Sequence, residues 1–355
     1  MTPGARQWSA VFRREVRKAF LARRGWWIYL LALAPFLLFF AYSVQVHIEA
    51  GQRQAWAAQQ SKRLTPQDFD AVQRGMPEAN LVAALGEPAR KEHFVRRRRG
   101  SHDEIIFNDI YWYRYSDGST LYDISVAGGV VSRIQRRPGP SLGDVGELFA
   151  NVFEFFYLRL AVFFGCLGIF MNLFRGELLN KSLHFYFLAP VPRSRVLSAK
   201  FAAGLVASVV VFAGSAWLQM FLLGRVVGAG GFDHTAAYLG VTALACVGYG
   251  AVFLAAGLMF RNPIVPAVAL LLWESAVPFL PALLKKVSVI YYLMQLCPVN
   301  LAAAPGTPAL YALLVSTPDA IRPITAIAGL LLLAAVVLWA ATRLVRRMEI
   351  DYTAE

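Results

Sequence analysis

Residues 152–174 read VFEFFYLRLAVFFGCLGIFMNLF, a run that is apolar or aromatic almost throughout. A bilayer core about 30 Å thick is crossed by roughly 20 helical residues, so this run predicts a transmembrane helix. Working outward, five more stretches of the same kind stand at 26–45, 201–224, 236–260, 264–284 and 323–342. Two shorter apolar pieces, 288–301 and 308–317, lie between the fifth and sixth spans and read as re-entrant or interfacial helices. The whole chain agrees. Of its 355 residues, 57% are hydrophobic and 16% charged, against roughly 45–50% and about 25% in soluble domains. A soluble enzyme, a disordered chain and a coiled coil are excluded on that ground. The expected membrane fold is all-α and polytopic, with six transmembrane helices plus two short re-entrant helices.

Charge gives the orientation. The 35 Lys+Arg outnumber the 22 Asp+Glu, but the excess is placed as membrane topology requires and does not predict a nucleic-acid partner. Arg6, Arg13, Arg14, Arg17, Lys18, Arg23 and Arg24 precede the first span. Arg175, Lys181, Arg193, Arg195 and Lys200 follow the second, Arg261 the fourth, and Arg343, Arg346 and Arg347 the sixth. The opposite short loops hold only Arg225, Lys285, Lys286 and Arg322. Cytoplasmic loops carry the basic excess, so both termini are expected in the cytoplasm of a bacterial inner membrane, facing anionic lipid headgroups. Residues 46–150, with nearly balanced charge, are expected outside it.

The basic start resembles a signal peptide, but its charged region is long and five spans follow, so an uncleaved first span is expected. Within 1–25, Trp8, Val11, Phe12, Val16, Ala19 and Phe20 recur at helical spacing. This is a basic amphipathic elbow helix for the interface, either a plain anchor or also a contact for a cytoplasmic partner. Cys166, Cys246 and Cys297 all lie in apolar segments and the five histidines are scattered, so neither a disulfide framework nor a metal site is expected.

The loop at 175–200 carries the most specific pattern. Glu177 is expected to open a short amphipathic helix, where an acid favours the N-terminus, and Pro190 and Pro192 to end it. Glu177, Ser182-Leu183, Pro190, Pro192, Arg193 and Lys200 resemble the coupling loop of the type-two ABC (ATP-binding cassette) exporter permeases, with Lys181 and Ser182 departing mildly from the usual residues, and the resemblance implies that Arg175 and Leu178 share in the ATPase contact. The fifth span adds Trp273-Glu274, Leu280-Pro281 and Ser288 to Tyr292, which are similar to that family's pattern there. The resemblance covers about 1–45 and 151–355. It implies six spans, re-entrant helices at 285–322 and a sixth span with a cytoplasmic tail at 323–355. It also implies that 176–193 seats on an ATPase subunit. No GxxxxGK[ST] phosphate loop occurs. This chain is therefore expected to bind no cofactor and to lack enzyme activity. ATP and Mg would sit on the separate ATPase, and a second permease copy or paralogue would complete the pathway.

The insert at 46–150 reads as a small α+β domain. Thr65-Pro66-Gln67-Asp68-Phe69 opens a helix, and Pro77-Glu78 opens a second that Gly86 stops. Ile105–Tyr115, 120–126 and 130–136 then read as a three-stranded antiparallel meander with turns at Asp117-Gly118 and Gly128-Gly129. Phe69, Gly75-Met76, Leu81-Val82, Leu85 to Pro88, Trp112 to Tyr115 and Gly129 to Ile134 resemble the BamE-like (SmpA/OmlA-like) lipoprotein domain, without its lipobox cysteine. That implies docking, with a periplasmic protein as partner, rather than catalysis. Arg96, Arg97, Arg98 and Arg99 are expected in the loop before the first strand. There they are either a solvated charge run or a contact for phosphate headgroups or an acidic partner.

Two charges fall inside spans. Glu274 lies ~18–20 Å along its helix from Arg261, and Arg159 ~24 Å from Arg175. Each is either structural or part of the transport pathway, since a charge at mid-membrane costs about 2.5–3.5 kcal/mol. Their heights differ, so no direct salt bridge is expected. Two functions follow: an exporter permease for hydrophobic or amphipathic cargo, or a non-transporting scaffold that relays ATPase-driven motion to the 46–150 domain.

Overall fold

The computed structural model describes residues 3–21, 25–99, 105–139, 142–179, 192–227, 234–260, 262–299 and 321–347. The chain divides into two compact units, Met1–Phe40 with Gly143–Glu355, and Ala41–Leu142.

The first unit is helical. It holds α1 (Pro3–Leu21), the start of α2 (Trp26–Gln59), α5 (Leu142–Asn151), a π-helix (Val152–Val162), α6 (Phe163–Leu179), α7 (Arg193–Val227), α8 (Thr235–Met259), α9 (Ile264–Ala276), α10 (Ala282–Lys285), α11 (Val289–Leu296) and α12 (Pro323–Arg347). Among the described residues, five helical stretches are long and apolar enough to cross a membrane: Trp26–Gln59, Val145–Leu173, Arg193–Arg225, Thr235–Met259 and Pro323–Arg347. That makes the chain a multi-pass membrane protein.

The stretch 264–284 is not the continuous span its apolarity predicts. α9 ends at Ala276, a 3₁₀ turn occupies Val277–Phe279, and α10 begins after Pro281. Pro278 and Pro281 lack the N–H a continuing helix needs. The 13 residues of α9 reach about 20 Å, short of the roughly 30 Å core. The piece at 288–301 does contain a short helix, α11, while 308–317 lies outside the described residues.

α8 is the central helix, touching α6, α7, α11, α12 and the π-helix. Small residues allow this, as is usual where apolar helices meet without water to drive them together. A Cβ on Gly257 would stand 3.1 Å from the Met171 Cα, and one on Gly250 2.5 Å from the Phe170 ring. Aromatic rings fill the other end: Phe149, Phe153 and Tyr238 pack with centroids 4.7–5.6 Å apart.

The second unit contains the rest of α2, α3 (Pro66–Asp70), α4 (Glu78–Leu85) and strands β1 (Arg90–Arg99), β2 (Ile105–Ser116), β3 (Thr120–Ala127) and β4 (Val130–Pro138). The sheet is antiparallel in the order β1-β2-β3-β4. Phe69, Leu81 and Leu85 from the helices meet Tyr113, Tyr115, Tyr122, Ile124, Val126 and Val131 from the strands. Thr65 and Asp68 form a capping box at α3. Gly128 and Gly129, at φ 62° and 76°, supply the two left-handed residues a tight hairpin turn demands.

The expected three strands are four, and Arg96–Arg99 end β1 rather than forming a loop. Charge hid the strand, since six of its ten residues are Lys or Arg. Its pairing is nonetheless continuous from Arg90↔Arg114 to Arg99↔Ile105. Opposite charges alternate across the sheet. Arg90 and Arg114 meet Glu92 at 2.7 and 3.3 Å, and Arg114 and Arg137 meet Asp123 at 3.2 and 3.4 Å.

Candidate functional site

Glu274 sits near the end of α9, 5% exposed. The proline break turns the chain back, so that the start of α11 arrives at its carboxylate. Oε1 accepts from the Val289 N–H at 3.0 Å, and Oε2 from the Ile290 N–H at 2.9 Å and the Ser288 hydroxyl at 2.5 Å. Ser288 also accepts from Tyr291 N–H at 3.4 Å. The first N–H groups of a helix lack intrahelical partners and carry partial positive charge. Glu274 therefore satisfies α11 from outside its own sequence.

α11 in turn carries Met294 to Arg159, whose Nη2 donates to the Met294 Sδ at 3.4 Å. The Arg159 guanidinium stands 5.4 Å from the Phe155 ring, and its Nε finds no hydrogen-bond partner among the described residues. No ion pair joins Arg159 and Glu274 among the described residues.

Glu154, 5% exposed, lies beside the Cys297 thiol. The Tyr238 hydroxyl beside them, on a residue 2% exposed, has no partner among the described residues. The π-helix gives this group its geometry. Its buried residues are Phe153, Glu154, Tyr157, Leu158, Ala161 and Val162, recurring every four positions as the wider turn of a π-helix allows. Such helices are rare and occur at functional sites. Buried charge, an orphan hydroxyl and an orphan guanidinium nitrogen thus share one end of the helical unit.

A second polar group sits at the other end. Lys200 Nζ lies 3.3 Å from Glu15 Oε1, with neither side chain exposed, and donates to the Leu173 carbonyl at 2.8 Å. One ammonium therefore joins α1, α6 and α7. The Trp8 indole donates to Ser198 Oγ at 3.2 Å. Arg193 donates to the carbonyls of Val345 and Arg346 at 3.3 and 3.4 Å. The N-terminal helix, the described residues on both sides of 180–191 and the end of α12 consequently meet.

Glu177 is not at a helix start. With Arg175 and Leu178 it lies in the last turns of α6, which runs unbroken to Leu179. Only Gly176 interrupts good helix formers there, and one glycine is tolerated. Pro192 is exposed and Arg193 begins α7, while Ser182, Leu183 and Pro190 lie outside the described residues.

The sequence reading missed Glu154 and Glu15. Each had a signal. Glu15 is the one acid among the first 24 residues and falls on the apolar stripe with Trp8, Phe12 and Ala19. Glu154 stands with Arg159 in an otherwise apolar run. No protein-family model, curated protein or solved structure matches the chain.

Proposed function

We propose that this chain is the membrane permease subunit of an ABC exporter. A separate ATPase subunit, holding ATP and Mg, drives it from the cytoplasmic side. A second copy or a paralogue completes the pathway for a hydrophobic or amphipathic substrate crossing or leaving the inner membrane. In this reading α9, its 3₁₀ turn and α10 form a broken fifth crossing, making six, and Ala41–Leu142 is the extracytoplasmic BamE-like insert.

The observation that carries the proposal is the junction at Lys200. The flanks of the loop that resembles the family's ATPase contact are bonded to each other and to α1. A push on that loop would be passed at once to three helices, with little lost in bending. The test is ATP hydrolysis by the chain alone and in complex with its ATPase, with and without Glu177→Arg. The proposal expects none from the chain alone and a several-fold loss of stimulated hydrolysis in the variant. Robust hydrolysis by the single chain, or a complex indifferent to the variant, would overturn it.

One observation favours the second reading, a scaffold that relays motion without cargo. α2 is a single helix of 34 residues that belongs partly to each unit. ATPase stimulation by an extracytoplasmic partner with no cargo accumulation would select this reading.

A further inference from the structure

We propose that the outer edge of β1 is a docking site for an acidic, extended segment of a partner protein, which adds to the sheet as a fifth strand. The first observation is order. β1 is the outermost strand, and among the described residues no strand lies on its free side. The opposite edge is treated differently. At its start β4 is covered by reciprocal backbone bonds, Gly75 N–H to the Val131 carbonyl and Val131 N–H to the Met76 carbonyl, both 2.8 Å.

The second observation is length. β1 pairs with β2 over ten positions, but β2 pairs with β3 only from Ile110 to Ser116. The pairs from Val95↔Asp109 to Arg99↔Ile105 therefore form a two-stranded ribbon beyond the rest of the sheet. Such a ribbon is marginal in water, and a third strand is what normally stabilises one. Only β1 offers a full-length edge for it. Backbone addition of this kind draws affinity from main-chain hydrogen bonds and specificity from side chains.

Charge selects the occupant. β1 carries Arg90, Lys91 and Arg96 to Arg99 against the single acid Glu92. Like charges on directly opposed positions destabilise a pair of strands, so this edge opposes a second copy of itself. It favours a strand rich in Asp or Glu. Val95, 54% exposed, stands mid-strand on the face opposite to that of positions 96 and 98, and offers apolar contact to a strand that alternates acidic and apolar residues.

The experiment uses the full chain in nanodiscs of uncharged lipid, with a fluorescent peptide of alternating Glu and Val as probe. Anisotropy reads binding, and amide hydrogen exchange reads where the peptide lies. The expected result is salt-sensitive binding with slowed exchange across 90–99. Arg96→Glu with Arg98→Glu should weaken it about tenfold, the scale of a few exposed charge pairs, and alternating Lys and Val should not bind. Both substitutions lie in the ribbon beyond β3, and unchanged exchange in β3 and β4 certifies the variant's fold. Absence of binding, binding without protection of 90–99, or binding only to vesicles of anionic lipid would each overturn the proposal. The last would assign the basic edge to headgroups instead.

Discussion

Lys200 is buried, and the Glu15 carboxylate and the Leu173 carbonyl stand where water would otherwise solvate its ammonium. Breaking a buried pair by removing one partner typically costs about 3–5 kcal/mol, since the other charge is left uncompensated. Glu15→Gln should therefore destabilise the helical unit by about 3 kcal/mol in denaturant titrations. Combined with Lys200→Met the loss should be well below the sum of the two single losses, and additive losses would show the pair to be uncoupled. Glu274 makes the complementary case. Glu274→Leu strands the Val289 and Ile290 N–H groups, each worth about 1–3 kcal/mol when buried without a partner, and should sharply reduce folded yield. Glu274→Gln keeps one acceptor oxygen and should fold. Wild-type stimulated ATPase in that variant would leave Glu274 as the cap of α11. Lost ATPase with normal folding would place its charge in the working cycle. The sequence singled out Glu274 as a charge inside an apolar run, and it is buried. Its partner was not legible, because the carboxylate bonds residues 14 to 16 positions later across a chain reversal.

Elements were legible where periodicity and composition agreed. The long apolar helices and β2 to β4 follow their patterns closely. β1 was lost because its charges look like a solvated loop, and only pairing with β2 shows why they are tolerated. The π-helix has the same composition as an α-helical span, so its wider turn could not be read from residue type. The α9 break could have been: Pro278 and Pro281 stand in the text of the sequence, but the apolar run continued through them. Within the second unit, Tyr113 donates to Glu78 at the start of α4, and Lys91 lies 3.3 Å from the same carboxylate. The Tyr113 hydrogen bond holds the Glu78 carboxyl below its ordinary value of 4.5. A depressed acid stabilises the fold fully above its unfolded value, and that contribution disappears as pH falls through the folded one. The Ala41–Leu142 fragment should thus lose stability between pH 5 and pH 3 in urea titrations, a range set roughly by that carboxyl. Glu78→Gln should flatten part of the loss. An unchanged pH profile would remove Glu78 from the account.

At the scale of the whole molecule, the distribution of basic residues and the gathering of α1, the 180–191 flanks and α12 at one end rest on independent grounds, and both support placing the proposed ATPase at that end. The three cysteines are buried, so a single exposed cysteine reports topology without interference. Gln73→Cys, on the exposed link between α3 and α4, should react with a membrane-impermeant thiol reagent in intact spheroplasts. Reaction only after lysis would reverse the orientation of every helix. The most direct measurement of the central claim uses a photo-crosslinking residue in place of exposed Pro192, with one at Gln73 as control, in native membranes. The account predicts a nucleotide-binding ATPase subunit captured from position 192 and none from position 73. Capture of that subunit from 73, or its absence at 192, would contradict it.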